Sequence, residues 1–192
     1  MITKIGVVLL LTGTSLSSAY ASGLWPDHDI NDPNLTLNTV ASQCQKSLMF
    51  APDQVEAWCE KAYEMGSWES LSVIGLHTGD GSRYVAEAKK HVKAGEANAL
   101  IDLAWIYSHT GFVERDYPLA INLLNRYLGH ADSKNFNQNQ LIFAHQELYE
   151  LYSRIKNKEK ASEHLQFLID NVTDEDHKTV LIRKMEELKQ SI

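Results

Sequence analysis

Few side chains in this sequence have the type and spacing that chemistry needs. His77 and His109 each stand before a Thr-Gly pair, 32 residues apart. A shared metal ion or a proton relay between them is one reading. A histidine closing a helix, set against its last carbonyls, is the other and simpler one, and it is adopted here. The remaining histidines lack His-Glu-x-x-His or His-x-x-x-His spacing. Ser70, Ser72 and Ser108 lack the glycines of a nucleophile elbow. Glu147, Glu150, Asp174, Glu175 and Asp176 read as solvated helix surface rather than as a glycosidase pair. Asp27, His28, Asp29 and Asp32 crowd together but lack the glycine and distal glutamate of a calcium loop. Gly79-Asp80-Gly81-Ser82 has no preceding strand and no Gly-Lys-Ser/Thr, so it is a turn and not a phosphate cradle. The chain is therefore expected to be non-enzymatic, with no catalytic set, no metal site and no cofactor.

Cys44 and Cys59 are the only cysteines. The midpoint between them falls at Ala51-Pro52, where a helix must break. Each lies about two helical turns from the bend, so in an antiparallel hairpin their side chains meet. The spacing is not Cys-x-x-Cys, which argues for a structural bridge over a redox pair.

The address follows from the first residues. Lys4, the apolar stretch Ile5 to Leu16 and Ala19-Tyr20-Ala21 have the layout of a secretory signal peptide cleaved after Ala21. Its removal leaves a chain without stable membrane insertion, expected to be periplasmic or secreted, where disulfides persist. The full chain has a net charge of −7 and no basic run. That excludes nucleic acid and anionic membrane surfaces as natural partners.

The elements that must position these residues are all helices. Residues 22–35, with Gly23, Pro26 and Pro33, read as an extended lead-in. Residues 36–66 form a disulfide-linked hairpin: Thr36 caps a helix through Phe50, and Asp53 with Glu56 opens a second at capping-box spacing. Trp68 to Thr78 and Tyr84 to Lys93 make the next pair, ended by Gly95. Ala99 to Gly129 makes a third. Leu100, Leu103, Ala104 and Tyr107 form one stripe and Ala120, Leu123, Leu124 and Tyr127 the other, with Gly129 as the stop. Ser133 to Gln140 is a polar linker. Leu141 to Ile155 and Glu159 to Ile169 form a fourth pair across a tight turn at Lys156 to Lys158. Residues 171–192 form a last helix, capped by Thr173, with a stripe of Leu181, Met185 and Leu188 and charge elsewhere. The predicted fold is all-α: an α-solenoid of antiparallel helix pairs with a C-terminal capping helix. Two sequons, at Asn34 and Asn171, leave the class of source organism open.

The central pair resembles a Sel1-like repeat, a relative of the tetratricopeptide repeat. The residues that carry this are Leu103-Ala104-x-x-Tyr107 and Val113-x-x-Asp116-Tyr117-x-x-Ala120, with thirteen residues from Tyr107 to Ala120. The following unit has nine from Tyr152 to Ala161, the tetratricopeptide interval. Thr110 and Phe112 stand where the Sel1 pattern has loop glycines, and residues 68–95 align as a degenerate copy. The resemblance spans residues 67–170. It implies a concave wall exposing Asn98, Ile101, Trp105 and Ser108, and in the next unit Phe143, Gln146, Glu150 and Arg154. It also implies a protein-binding role, as an adaptor or regulator in the cell envelope. An inhibitor or immunity-type protein that blocks a partner enzyme is the alternative, and an envelope hydrolase is the third and disfavoured reading.

Overall fold

The computed structural model describes residues 28–131 and 137–190. The expected signal peptide, Asp27 and residues 133–136 of the polar linker lie outside them. The linker's expected end is corrected, since Asn137 caps α7 and Gln138 to Gln140 belong to that helix. Among the described residues the protein is all-α, with nine α-helices and no strand. α1 spans Leu37–Phe50, α2 Val55–Glu64, α3 Leu71–Thr78, α4 Ser82–Ala94 and α5 Ala97–His109. α6 spans Tyr117–Ala131, α7 Gln138–Arg154, α8 Lys158–Asn171 and α9 Glu175–Gln190. Single 3-10 turns, Pro52–Gln54 and Trp68–Ser70, precede α2 and α3.

Local chemistry explains most boundaries. Thr36 Oγ1 accepts the Thr39 N–H at 3.2 Å, and Asp116 Oδ1 accepts the Leu119 N–H at 2.9 Å, each opening a helix where expected. Gly79 and Gly95 end α3 and α4 in the left-handed region, at φ 80° and 88°, where a side chain is penalised. Three expectations need correction. Asp53 and Glu56 form no capping box: the Pro52–Gln54 turn runs straight into α2, and α2 has no side-chain cap. Gly129 does not stop α6, which continues to Ala131. Asp174 rather than Thr173 opens α9, its Oδ1 accepting the His177 N–H.

Each helix packs against the next in sequence, most extensively α1 on α2, α5 on α6 and α7 on α8. Three buried clusters result. Val40, Cys44, Val55, Trp58, Cys59, Ala62 and Val73 form the first, and within it Cys44 and Cys59 are joined as a disulfide with S–S 2.07 Å. The largest runs from Trp68 through α4, α5 and α6 to Leu151, with Tyr127 and Ile106 fully buried. The third lies between α8 and α9, around Leu165, Leu168, Leu181 and Met185. On α9 the expected stripe is inward, yet Val180 and Ile182 are exposed on the side expected to be charged.

A close approach joins the α5–α6 loop to α3 and to the start of α4. The Phe112 ring, from the α5–α6 loop, lies so near Gly75 and Gly81 that a Cβ on Gly81 would fall 2.1 Å from its Cγ. Phe112 thus fills space that two glycines leave. The α7–α8 turn is closed by Lys156 at φ 60°, with the Asn157 N–H reaching the Tyr152 carbonyl at 2.8 Å.

Candidate functional site

A cavity of about 370 Å³ lies beside α5. Ile101, Asp102 and Trp105 supply its α5 wall and Phe143 its α7 wall. Glu69, Ser70, Ser72 and Val73 come from the Trp68–Ser70 turn and α3, and Tyr84 from α4. Tyr84 is buried, edge-on to Phe112 and stacked on Trp68, whose indole also stacks on His91. That packing fixes the Tyr84 hydroxyl, which donates to Asp102 Oδ1 at 3.3 Å. Burial pushes the Asp102 carboxyl up to about 6, the Glu69 charge pushes in the same direction, and the Tyr84 hydrogen bond opposes both. Two carboxylates and no basic side chain line this cavity.

Of the expected partner-binding residues, Ile101, Trp105 and Phe143 share this wall. Gln146 and Glu150 instead line a second cavity of about 220 Å³ between α7, α8 and α9, floored by Ile142, Leu168 and Leu181. Asn98 and Arg154 are exposed, and neither lines these two cavities. Ser108 must be corrected. It is buried, and its hydroxyl donates to the Ala104 carbonyl at 2.8 Å, so it offers nothing to a partner.

His109 also departs from expectation. Its ring stacks beside Trp105, and its Nδ1 lies 2.8 Å from Ser108 Oγ and 3.5 Å from Glu147 Oε2. His77 stands exposed at the end of α3, so the two His-Thr-Gly segments do not have equal surroundings. Serine, histidine and glutamate meet here, but not as a nucleophile relay. Such a relay uses opposite ring nitrogens for the hydroxyl and the acid, whereas here both approach Nδ1. Glu147, expected on a solvated face, is buried, and burial with the nearby Glu150 charge pushes it up to about 7 against the pull of Arg154.

His145 and His164 face each other across α7 and α8, Nδ1 to Nδ1 at 3.0 Å, so one ring carries the shared proton and the other accepts it. Phe167 stacks on His145 at 3.6 Å and Tyr152 on His164 at 5.6 Å. Burial first, and the second imidazole next, push His145 down to about 4, and burial lowers His164 as well. Both rings bind protons more readily in the unfolded chain. Their stabilising contribution is therefore complete above about pH 6.5 and is lost as pH falls toward 4. The raised pKa values of Asp102 and Glu147 act in the opposite sense, weakening the fold as pH rises through their titration. Replacing both histidines by glutamine is expected to reduce the fall in Tm between pH 6.5 and 4.5 by at least about 3 °C, the shift that 1 kcal/mol gives a domain of this size. Circular dichroism melts at the two pH values check it. An unchanged slope would remove the pair from the acid response.

Among the described residues no group of three or more His, Cys, Asp and Glu is placed to share a metal ion. No described helix is long and apolar enough to cross a membrane. Comparison of the chain with known families, with characterised proteins and with solved structures gives no match.

Proposed function

We propose that this chain is an exported α-helical repeat protein that binds another protein. In this reading its helices form antiparallel Sel1-like pairs in an α-solenoid, and the wall carrying Ile101, Trp105 and Phe143 is the docking face. The single observation that carries the reading is that these three apolar side chains, from two helices separated by α6, line one open cavity. Helices packing in chain order support a repeat architecture. The buried disulfide is compatible with an oxidising compartment such as the periplasm or the extracellular space. Half-buried tryptophan is the residue type that most often dominates interface energetics. Trp105→Ala is expected to weaken capture of the native partner at least 30-fold, as loss of an anchor worth about 2 kcal/mol does. The far-UV spectrum should be unchanged. Capture measured by affinity purification from the native envelope, then quantified by calorimetry with the partner recovered, is the test. Undiminished affinity in a folded variant overturns this docking face.

A further inference from the structure

Resting on that reading, we infer that the cavity beside Trp105 receives a basic side chain, lysine or arginine, of the bound polypeptide, with Asp102 and Glu69 as counter-charges and the aromatic wall covering its stem. Three observations converge on this. Among the described residues the lining holds two carboxylates and no cation: Asp102, half-buried and held by the Tyr84 hydroxyl, and Glu69 at the exposed rim, accepting from Ser67 Oγ at 3.3 Å. A carboxylate half removed from water and bonded only to a neutral hydroxyl still lacks a counter-charge, which an arriving ammonium or guanidinium group supplies. Burial and the Glu69 charge raise the pKa of Asp102, and the Tyr84 hydrogen bond opposes them, so no ion pair with a cation offsets the burial of this carboxyl.

The walls fit the rest of such a side chain. Trp105, Phe143 and Tyr84 present aromatic surface, and Ile101 and Val73 aliphatic surface, around the two acids. Lysine and arginine bring a long apolar stem and a cationic tip, and aromatic faces attract that tip. The Tyr84 hydroxyl holds Asp102 in place, which reduces the ordering needed on binding. The serines add no competing positive charge: Ser72 Oγ is donated to the Glu69 carbonyl at 2.6 Å and Ser70 Oγ to Ser67 Oγ at 3.0 Å. A chain of net charge −7 also draws a basic partner toward this face.

The test uses the purified chain with its indole groups labelled for NMR, the Trp105 signal being assigned by its loss in Trp105→Phe. Four blocked pentapeptides, Gly-Ser-X-Ser-Gly with X as lysine, arginine, norleucine or glutamate, are titrated against it. The lysine and arginine peptides should shift the Trp105 signal saturably, with norleucine and glutamate at least tenfold weaker. Asp102→Asn and Glu69→Gln should each weaken the basic peptides several-fold while the other indole signals stay in place. Equal shifts from norleucine and lysine, undiminished binding by folded Asp102→Asn, or no shift from any peptide overturns the inference. The two proposals fail separately. Partner capture abolished by Trp105→Ala but untouched by Asp102→Asn leaves the docking face standing and sinks the cation. Capture insensitive to Trp105→Ala sinks the docking face itself.

Discussion

Replacing Cys44 and Cys59 together by alanine lowers stability by about 3 kcal/mol, the loop-closure entropy that a bridge of this span removes from the unfolded chain. Fifteen positions separate the two residues, and both are completely buried. Their partners in the cluster are Val40, Val55, Trp58 and Ala62, so the missing sulfurs also leave a small void. The loss should be local. α1 leans on α2, on α3 and on the two 3-10 turns beside them, and it shares none of the buried cluster that joins α5 and α6. Urea unfolding followed by far-UV circular dichroism gives the total. Amide exchange then separates residues 37–64, expected to exchange faster, from residues 97–131, expected to stay protected. A total loss below about 1 kcal/mol, or uniform acceleration along the chain, would contradict this account.

Gly81→Ala has the second largest expected effect, a loss of about 1–3 kcal/mol, the usual cost of overfilling a packed site. The backbone conformation is not the reason, since φ at Gly81 is −90°, which alanine adopts freely. The reason is contact: an added Cβ lies 2.1, 2.3 and 2.5 Å from Cγ, Cδ2 and Cδ1 of Phe112. Those atoms are the base of the ring, so no rotation of a flexible tip relieves the overlap. The ring must leave, and with it goes its edge contact with Tyr84. A double-mutant cycle isolates the cause. In the Phe112→Ala background the same glycine substitution should cost less than about 0.5 kcal/mol, giving a coupling energy above about 0.5 kcal/mol. Additive losses in chemical denaturation would show that Phe112 is not what Gly81 makes room for.

The helical class, the cysteine pairing and several helix ends were legible because they rest on chemistry between near neighbours in sequence. Thr36, Asp116, Gly79 and Gly95 each act on backbone groups within a turn of themselves. The misreadings have equally local causes. Thr173 and Asp174 are adjacent residues of similar capping strength, and the carboxylate won. Gly129 remains inside α6 because one glycine costs a helix only about 1 kcal/mol, which packing outweighs. Ser108 shares the stripe of Ile101 and Trp105, but near the end of α5 that stripe turns into the packed interior and takes the hydroxyl with it.

What could not be read was who meets whom between distant helices. Asp102 is one acid in the apolar run Leu100 to Tyr107, and a lone charge on a mostly inward stretch was the available signal. Its partners, Tyr84 and Glu69, come from other elements. The His145–His164 contact joins residues 19 apart, on facing helices whose rotation about their axes no periodicity specifies to within one residue. Glu147 resembles any surface glutamate until the fold buries it and brings His109, at the end of α5, alongside.

The chain-order packing of the helices bears on how the protein acquires its shape. Because every major contact joins elements adjacent in sequence, ordering each one closes only a short stretch of chain, and the entropic barrier to each step is low. A polypeptide emerging from a narrow exit can complete α1 and α2, with both thiols already in register, before its later helices are free.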